Sequence, residues 1–257
     1  EIKFFIDDIE ISRQKALIPY PKVDGYEGLK ANGFTAKWLP LEGIDTYLVS
    51  VYSKAEYQEK DSIAEYFDHL NLDSDNKPVS NDFGRFSTSL SSEHPVYIGS
   101  ENSKSGNQAL HFINGDWLEL KASNKPLVHA SFWAKSPSNS LKGSIIVEQY
   151  LGTEWMEVVE IDSKGMPEFR FVDLTKHLNF NATAIRISYK GEGEMYFDDL
   201  KVYYEPDHQY AKNYQDREVK NSIQIEVEGL DPETDYFFSV KSKKEQEISL
   251  PSEEVFV

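Results

Sequence analysis

The sequence predicts an all-β protein assembled from sandwiches. Three observations carry this. Short runs rich in β-branched and aromatic residues recur along the chain, each bounded by Gly, Pro, Asn or Asp. Helical periodicity is nearly absent. One strand-like stretch occurs twice: Phe4-Phe5-Ile6-Asp7-Asp8-Ile9-Glu10-Ile11 matches Met195-Tyr196-Phe197-Asp198-Asp199-Leu200-Lys201-Val202 in character at nearly every place.

Taken in order, the expected strands are FTAKWLPL from Phe34, TYLVSVYSK from Thr46, LVHASFWAKS from Leu127, GSIIVEQYLG from Gly143 and WMEVVEI from Trp155. AIRISYKG from Ala184, IQIEVEGL from Ile223 and DYFFSVKSK from Asp235 follow. Two stretches break the pattern. AEYFDHLNL from Ala64 has room for a turn or two of helix, and PDHQYAKNYQDREVK from Pro206 is polar and reads as a connector.

The chain has 257 residues, enough for one large domain or two small ones, and 39% of them are apolar. With no cysteine, a disulfide framework, thiolate zinc and a cysteine nucleophile are excluded. Forty-four acidic against 27 basic residues give a formal charge of −17. That sign argues against nucleic acid and against an anionic membrane surface. No apolar run approaches the ~20 residues of a spanning helix, so no membrane insertion is expected. The bland account of the acidity is a solvated surface, and calcium attraction is the sharper one. Glu1 follows neither a Met nor a signal segment, which is the expectation for a processed or trimmed product.

Near the end, Gly229-Leu230-Asp231-Pro232-Glu233-Thr234-Asp235-Tyr236 has the form of a tyrosine corner, in which the Tyr hydroxyl bonds back to the backbone just upstream. Tyr236-Phe237-Phe238-Ser239-Val240 continues it as a strand. Phe34-Thr35-Ala36-Lys37-Trp38 and Gly43-Ile44-Asp45-Thr46-Tyr47-Leu48-Val49-Ser50-Val51 read as strands B and C of the same unit, with Trp38 at its core and Pro19 and Pro21 ahead of it. Together these resemble a fibronectin type III domain, an immunoglobulin-like sandwich. Residues 13–56 and 206–257 sum to about the ~100 residues such a sandwich needs, so the resemblance implies a domain split by an insertion.

The insert, 57–205, carries Ser105-Gly106-Asn107-Gln108-Ala109-Leu110-His111-Phe112, Ser131-Phe132-Trp133-Ala134-Lys135, Gly152-Thr153-Glu154-Trp155-Met156-Glu157-Val158 and Phe197-Asp198-Asp199-Leu200-Lys201-Val202. This ordered series is similar to the jelly-roll modules of bacterial cleaved-adhesin and MAM-like domains, which group with galactose-binding-like carbohydrate modules. The resemblance implies that a strand with an Asp-Asp pair closes the roll. Residues 1–12 then read as the closing strand of a preceding roll, or as linker, in a piece of a bacterial surface protein.

Parity breaks at the Asp-Asp pair: Met195 and Phe197 share one phase, while Leu200, Val202 and Tyr204 share the other. A bulge at Asp198-Asp199 restores register. Asp198 then either caps backbone N–H groups or supplies one hard oxygen to a structural calcium. The resemblance implies Asp68 as its partner there. Asp73-Ser74-Asp75-Asn76-Lys77 fails the calcium-loop pattern at Lys77 and reads as an exposed loop. No His-Glu-x-x-His, Gly-x-Ser-x-Gly or phosphate loop occurs, so no enzyme is expected.

Sugar recognition calls for flat aromatic faces beside polar groups. Trp117, Tyr150 and Trp155, lying next to Gly, Asp, Asn or Thr, are the candidates. Trp155 occupies a place that is usually packing in such modules, and Trp133 reads as core. Asn181-Ala182-Thr183 and Asp61-Ser62-Ile63 match short glycosylation triplets. The expectation is a non-enzymatic, extracellular or cell-surface module that binds a glycan or a surface protein; the alternative is a spacer that positions a neighbouring domain. No oligomeric state follows.

Overall fold

The computed structural model describes residues 18–56, 58, 61–74, 82–83, 86–90, 96–137, 142–164 and 166–257. The repeated strand at 1–12 and most of the Asp73–Lys77 loop lie outside them. The described chain is all-β, and it divides into two compact units. Residues up to Lys54 join His208–Val257 in the first, and Ala55–Asp207 form the second.

The first unit opens with β1 (Val23–Lys30), β2 (Gly33–Trp38) and β3 (Thr46–Lys54). The second takes β4 (Ser62–Glu65), β5 (Asp82–Phe83), β6 (Phe86–Ser89), β7 (Val96–Ile98), β8 (Gln108–Phe112) and β9 (Trp117–Leu120). It continues with β10 (Leu127–Lys135), β11 (Gly143–Tyr150), β12 (Trp155–Asp162), β13 (Arg170–Asp173), β14 (Ala184–Gly191) and β15 (Met195–Tyr204). The chain then returns to the first unit with β16 (His208–Tyr210), β17 (Arg217–Lys220), β18 (Gln224–Glu228), β19 (Phe237–Lys244), β20 (Glu247–Ile248) and β21 (Val255–Phe256).

In the first unit a three-stranded sheet, β1-β2-β18, faces a second sheet ordered β16-β3-β19-β20, with β17 also on β3 and β21 on β19. Alternation along β2, β3 and β19 turns Phe34, Trp38, Tyr47, Val49, Val51, Phe238 and Val240 into one core. Tyr236 packs against that cluster, and its hydroxyl accepts the backbone N–H of Asp231 at 3.4 Å, the bond of a tyrosine corner. The chain leaves at Lys54 and re-enters at His208, which face each other across an antiparallel ladder. Ala55 N–H donates to the Asp207 carbonyl at 2.9 Å just beyond. An insertion whose ends are neighbours costs the host loop little.

The second unit is two sheets, β13-β10-β15-β8-β7, with β4 also on β15, and β12-β11-β14-β9-β6-β5. Phe112, Phe132 and Phe197 from the first sheet and Leu118, Val147, Ile185 and Ile187 from the second share its core. The ladder between β10 and β15 slips between Ser131/Lys201 and Trp133/Asp198, and Asp199 has φ 50. That bulge returns Leu200 and Val202 to the core.

Three expectations need correction. AEYFDHLNL is not helical: Ala64 and Glu65 end β4, and Phe67 turns at φ 60 with its ring buried. PDHQYAKNYQDREVK is no mere connector, since it supplies β16 and β17, both paired to β3. Trp133 is not core. Ala130, Phe132 and Ala134 face inward, so Ser131, Trp133 and Lys135 point away.

Candidate functional site: the outer face of the β12-β11-β14-β9 sheet

Residues Ile185, Ile187 and Tyr189 of β14 are core, so the alternate Arg186 and Ser188 face outward. Register then assigns their neighbours. Arg186 lies opposite Glu119 on β9 and Glu148 on β11; Ser188 lies opposite Trp117; Tyr150 lies opposite Ala184 and Trp155. All three aromatic candidates therefore share one outward face. Trp155 is half-buried there against Arg186, not packed in the core.

Arg186 sits at the centre. Its Nε and Nη2 donate to Oε2 of Glu119 at 2.9 and 2.7 Å, and Nη1 donates to Oε2 of Glu148 at 3.4 Å. Its guanidinium carbon lies 4.2 Å from the Trp155 ring centroid and 5.8 Å from that of Trp117, both within cation–π range. The side chains of Arg186, Glu119 and Glu148 are 29%, 25% and 27% exposed, so the ion pairs are partly desolvated and less screened by salt than fully exposed ones. Tyr150 packs on Trp155 with centroids 5.4 Å apart at 49°, and its hydroxyl donates to the Gly152 carbonyl at 2.8 Å. The result is two indoles and a phenol fixed around a charged centre, with carboxylate oxygens at its edge.

The sequence singles out the three rings, which the fold brings to one face, and does not single out Arg186, Glu119 and Glu148 beside them. The signal was present in part: AIRISYKG alternates Ile185, Arg186, Ile187, which sets an arginine on the open face of a strand. Which carboxylates meet it depends on cross-strand register, which a linear reading does not supply.

The Asp pair does different work. Asp198 is fully buried; Oδ2 accepts the N–H groups of Lys104 and Ser105 at 2.6 and 3.1 Å, and Oδ1 that of Asp199 at 2.7 Å. Burial pushes its carboxyl up to about 6 despite those three donors. Asp68 Oδ1 accepts the N–H groups of Asn107 and Gln108 at 2.7 and 3.0 Å. The two residues named as a calcium pair thus brace the same loop from its two ends. Gly106 lies between them at φ +58, and a Cβ there would run into the Asp68 carboxylate. Among the described residues no group of three or more His, Cys, Asp or Glu side chains is arranged to hold an ion. In this arrangement Asp198 and Asp68 Oδ1 brace the loop through its amides, whereas calcium takes six to eight oxygens.

Of the glycosylation triplets, Asn181 is buried at 5% exposure, and Asp61 is buried with its carboxylate on Lys125 at 2.7 Å.

The fibronectin type III domain model matches residues 172–257. Its second half coincides with β16–β21 and the tyrosine corner. The part of the split unit from β16 to β21 therefore lies within a fibronectin type III match. No curated protein matches the chain. Among solved structures, the K2 cleaved adhesin domain of Lys-gingipain overlaps 56% of this chain and 98% of its own at 10% identity, TM-score 0.42. A TmCBM61 structure in complex with beta-1,4-galactotriose overlaps 48% of this chain and 90% of its own at 19% identity, TM-score 0.35. The CBM22-1 xylan-binding domain from Paenibacillus barcinonensis Xyn10C overlaps 61% and 94% at 11% identity, TM-score 0.30. Overlaps this loose carry no argument about ligand.

Proposed function

We propose that this chain is a non-catalytic, extracellular or cell-surface binding module whose inserted roll recognises an uncharged glycan on the face centred on Arg186. One observation carries the reading: Trp117, Tyr150 and Trp155, remote in sequence, converge on one outward face around Arg186, Glu119 and Glu148. Aromatic faces take the apolar side of a pyranose. The carboxylates accept from its hydroxyls, and a site built to hydrogen-bond hydroxyls rejects ligands that lack them. Glu119, Glu148, Glu157 and Glu160 alternate with the rings on this face, a charge pattern that disfavours anionic sugars. Polymeric glycans are met outside the cell, and among the described residues no helix is long and apolar enough to cross a membrane.

Affinity electrophoresis of the full chain through gels containing galactan, xylan or mannan tests this. Retardation in at least one gel is expected, with Trp155→Ala and Arg186→Met each weakening it by about tenfold, the equivalent of ~1.4 kcal/mol, at unchanged circular dichroism. Free migration through every neutral polymer would falsify the reading.

A further inference from the structure

The opposite outer face of the roll is built differently. On β10, Ser131, Trp133 and Lys135 face outward; across β13 Trp133 meets Phe171, and across β15 Ser131 meets Lys201. Phe171 is 47% exposed, and its ring lies 5.3 Å from that of Trp133. Over the Trp133 ring, 4.0 Å from its centroid, stands the Lys104 ammonium. The braced loop fixes it there, since the Lys104 N–H is one of the donors held by Asp198. The Lys135 ammonium is held by the Glu101 carbonyl at 2.9 Å and lies 5.9 Å from the Phe169 ring.

Further along the same face, a polar chain leads to a second aromatic pair. Asp173 Oδ1 accepts the Thr175 hydroxyl at 2.6 Å, Thr175 Oγ1 meets His129 Nδ1 at 2.6 Å, and His129 Nε2 meets Ser131 Oγ at 2.9 Å. His129 stacks on Tyr203, 5.0 Å between centroids and 37% exposed. Rings at both ends therefore flank ordered donors and acceptors.

Placement beside rings marks this face. In the first unit Lys30, Lys54, Lys241 and Lys243 each lie within 2.9 Å of a carboxylate. On this face Lys104, Lys135 and Lys201 have no described carboxylate within ion-pair distance, in a chain with 44 acidic residues. Two of the three ammoniums are held beside aromatic rings, pre-positioned to meet an anion.

We infer that this second face, around Trp133, Phe171, Lys104 and Lys135, binds an anionic polysaccharide. Sugar rings pack on Phe171 and Tyr203, the Asp173, Thr175 and His129 side chains meet hydroxyls with the buried Ser131 fixing His129 from beneath, and Lys104 and Lys135 take the acid groups. The net charge of −17 does not forbid this, because at physiological ionic strength charges beyond roughly 8 Å are screened and the local lysines decide.

The test is affinity electrophoresis of the full chain against polygalacturonate, which carries carboxylates, and dextran sulfate, which carries sulfates, with galactan and poly-glutamate as comparisons. Retardation by at least one acidic polysaccharide is expected, and the tighter of the two identifies the acid group. Lys104→Met with Lys135→Met, which keep the apolar stems and delete the charges, should weaken it by about a hundredfold, since each charge-assisted bond is worth roughly tenfold. Phe171→Ala should weaken it as well, and Trp155→Ala on the other face should leave it unchanged. Free migration past both acidic polymers, full retention in the double lysine variant, or equal retardation by poly-glutamate would each overturn the inference.

Discussion

The two outer faces of the roll cover the same core, and each sets a cation against an indole. On one, Arg186 stands between Trp117 and Trp155 and is neutralised by Glu119 and Glu148. On the other, Lys104 stands over Trp133, and its ammonium meets no carboxylate among the described residues. Strand alternation fixes which residues reach each face. The groups placed between the rings then set what each can take: acceptors on the first, unneutralised donors on the second.

The comparison breaks most completely if the shared core is removed. Phe197 is 2% exposed and packs between Phe112 and Phe132, 4.5 and 5.6 Å between centroids. Phe197→Ala should cost about 3–5 kcal/mol and disable both faces together. Trp38→Ala should cost a similar amount in the first unit while leaving both faces active, because Trp38 belongs to the other core cluster. Denaturant titration with both binding assays reads this out. Loss of binding in Trp38→Ala would tie the faces to a core they do not touch.

Much of this was legible in the sequence, for identifiable reasons. The runs from Thr46 to Lys54 and from Ala184 to Gly191 have the bounds of β3 and β14, since each is an apolar or alternating run closed by Gly, Asp, Lys or Glu. β16 and β17 were not, because their side chains are mostly exposed and pairing to β3 holds them without a buried stripe. Trp133 was assigned to the wrong phase of its alternating strand: its alternates Ser131 and Lys135 are polar, and parity with them puts it outward. The parity break at Asp198 did predict the bulge, because a change of phase between Phe197 and Leu200 has few other remedies.

A smaller and more selective effect is expected at the brace. Asp198→Asn replaces a buried carboxylate that accepts three N–H groups, and should cost about 1–3 kcal/mol. Because the loop carries Lys104, the variant should lose affinity for acidic polysaccharide and keep the Arg186 face intact. Chelator separates the brace from an ion. If the brace works through its amide contacts alone, the melting temperature of the native chain should not move in EDTA. A fall in EDTA that Asp198→Asn abolishes would give Asp198 and Asp68 to calcium instead.

The smallest effect asks whether unpaired lysines alone make an anion site. In the first unit, Glu218 accepts from Lys243 at 2.7 Å and Lys220 at 2.9 Å, and among the described residues neither ammonium lies over an aromatic ring. Those hydrogen bonds pull its carboxyl down to about 2, well below the ordinary glutamate. A depressed carboxylate contributes its stability above the unfolded value, near 4.3, and loses it as pH falls toward the folded one. The melting temperature of the native chain should therefore show a slight extra decline between about pH 4 and 2, and Glu218→Gln should remove it. Glu218 is exposed and its pairs are screened, so the change is small. The same variant leaves Lys220 and Lys243 without their carboxylate. If charge suffices, Glu218→Gln gains affinity for polygalacturonate. The expected result is no gain, because these ammoniums have no ring beside them and nothing to hold a sugar against. A gain comparable to the loss in the Lys104 and Lys135 variant would reduce the second face of the roll to charge alone.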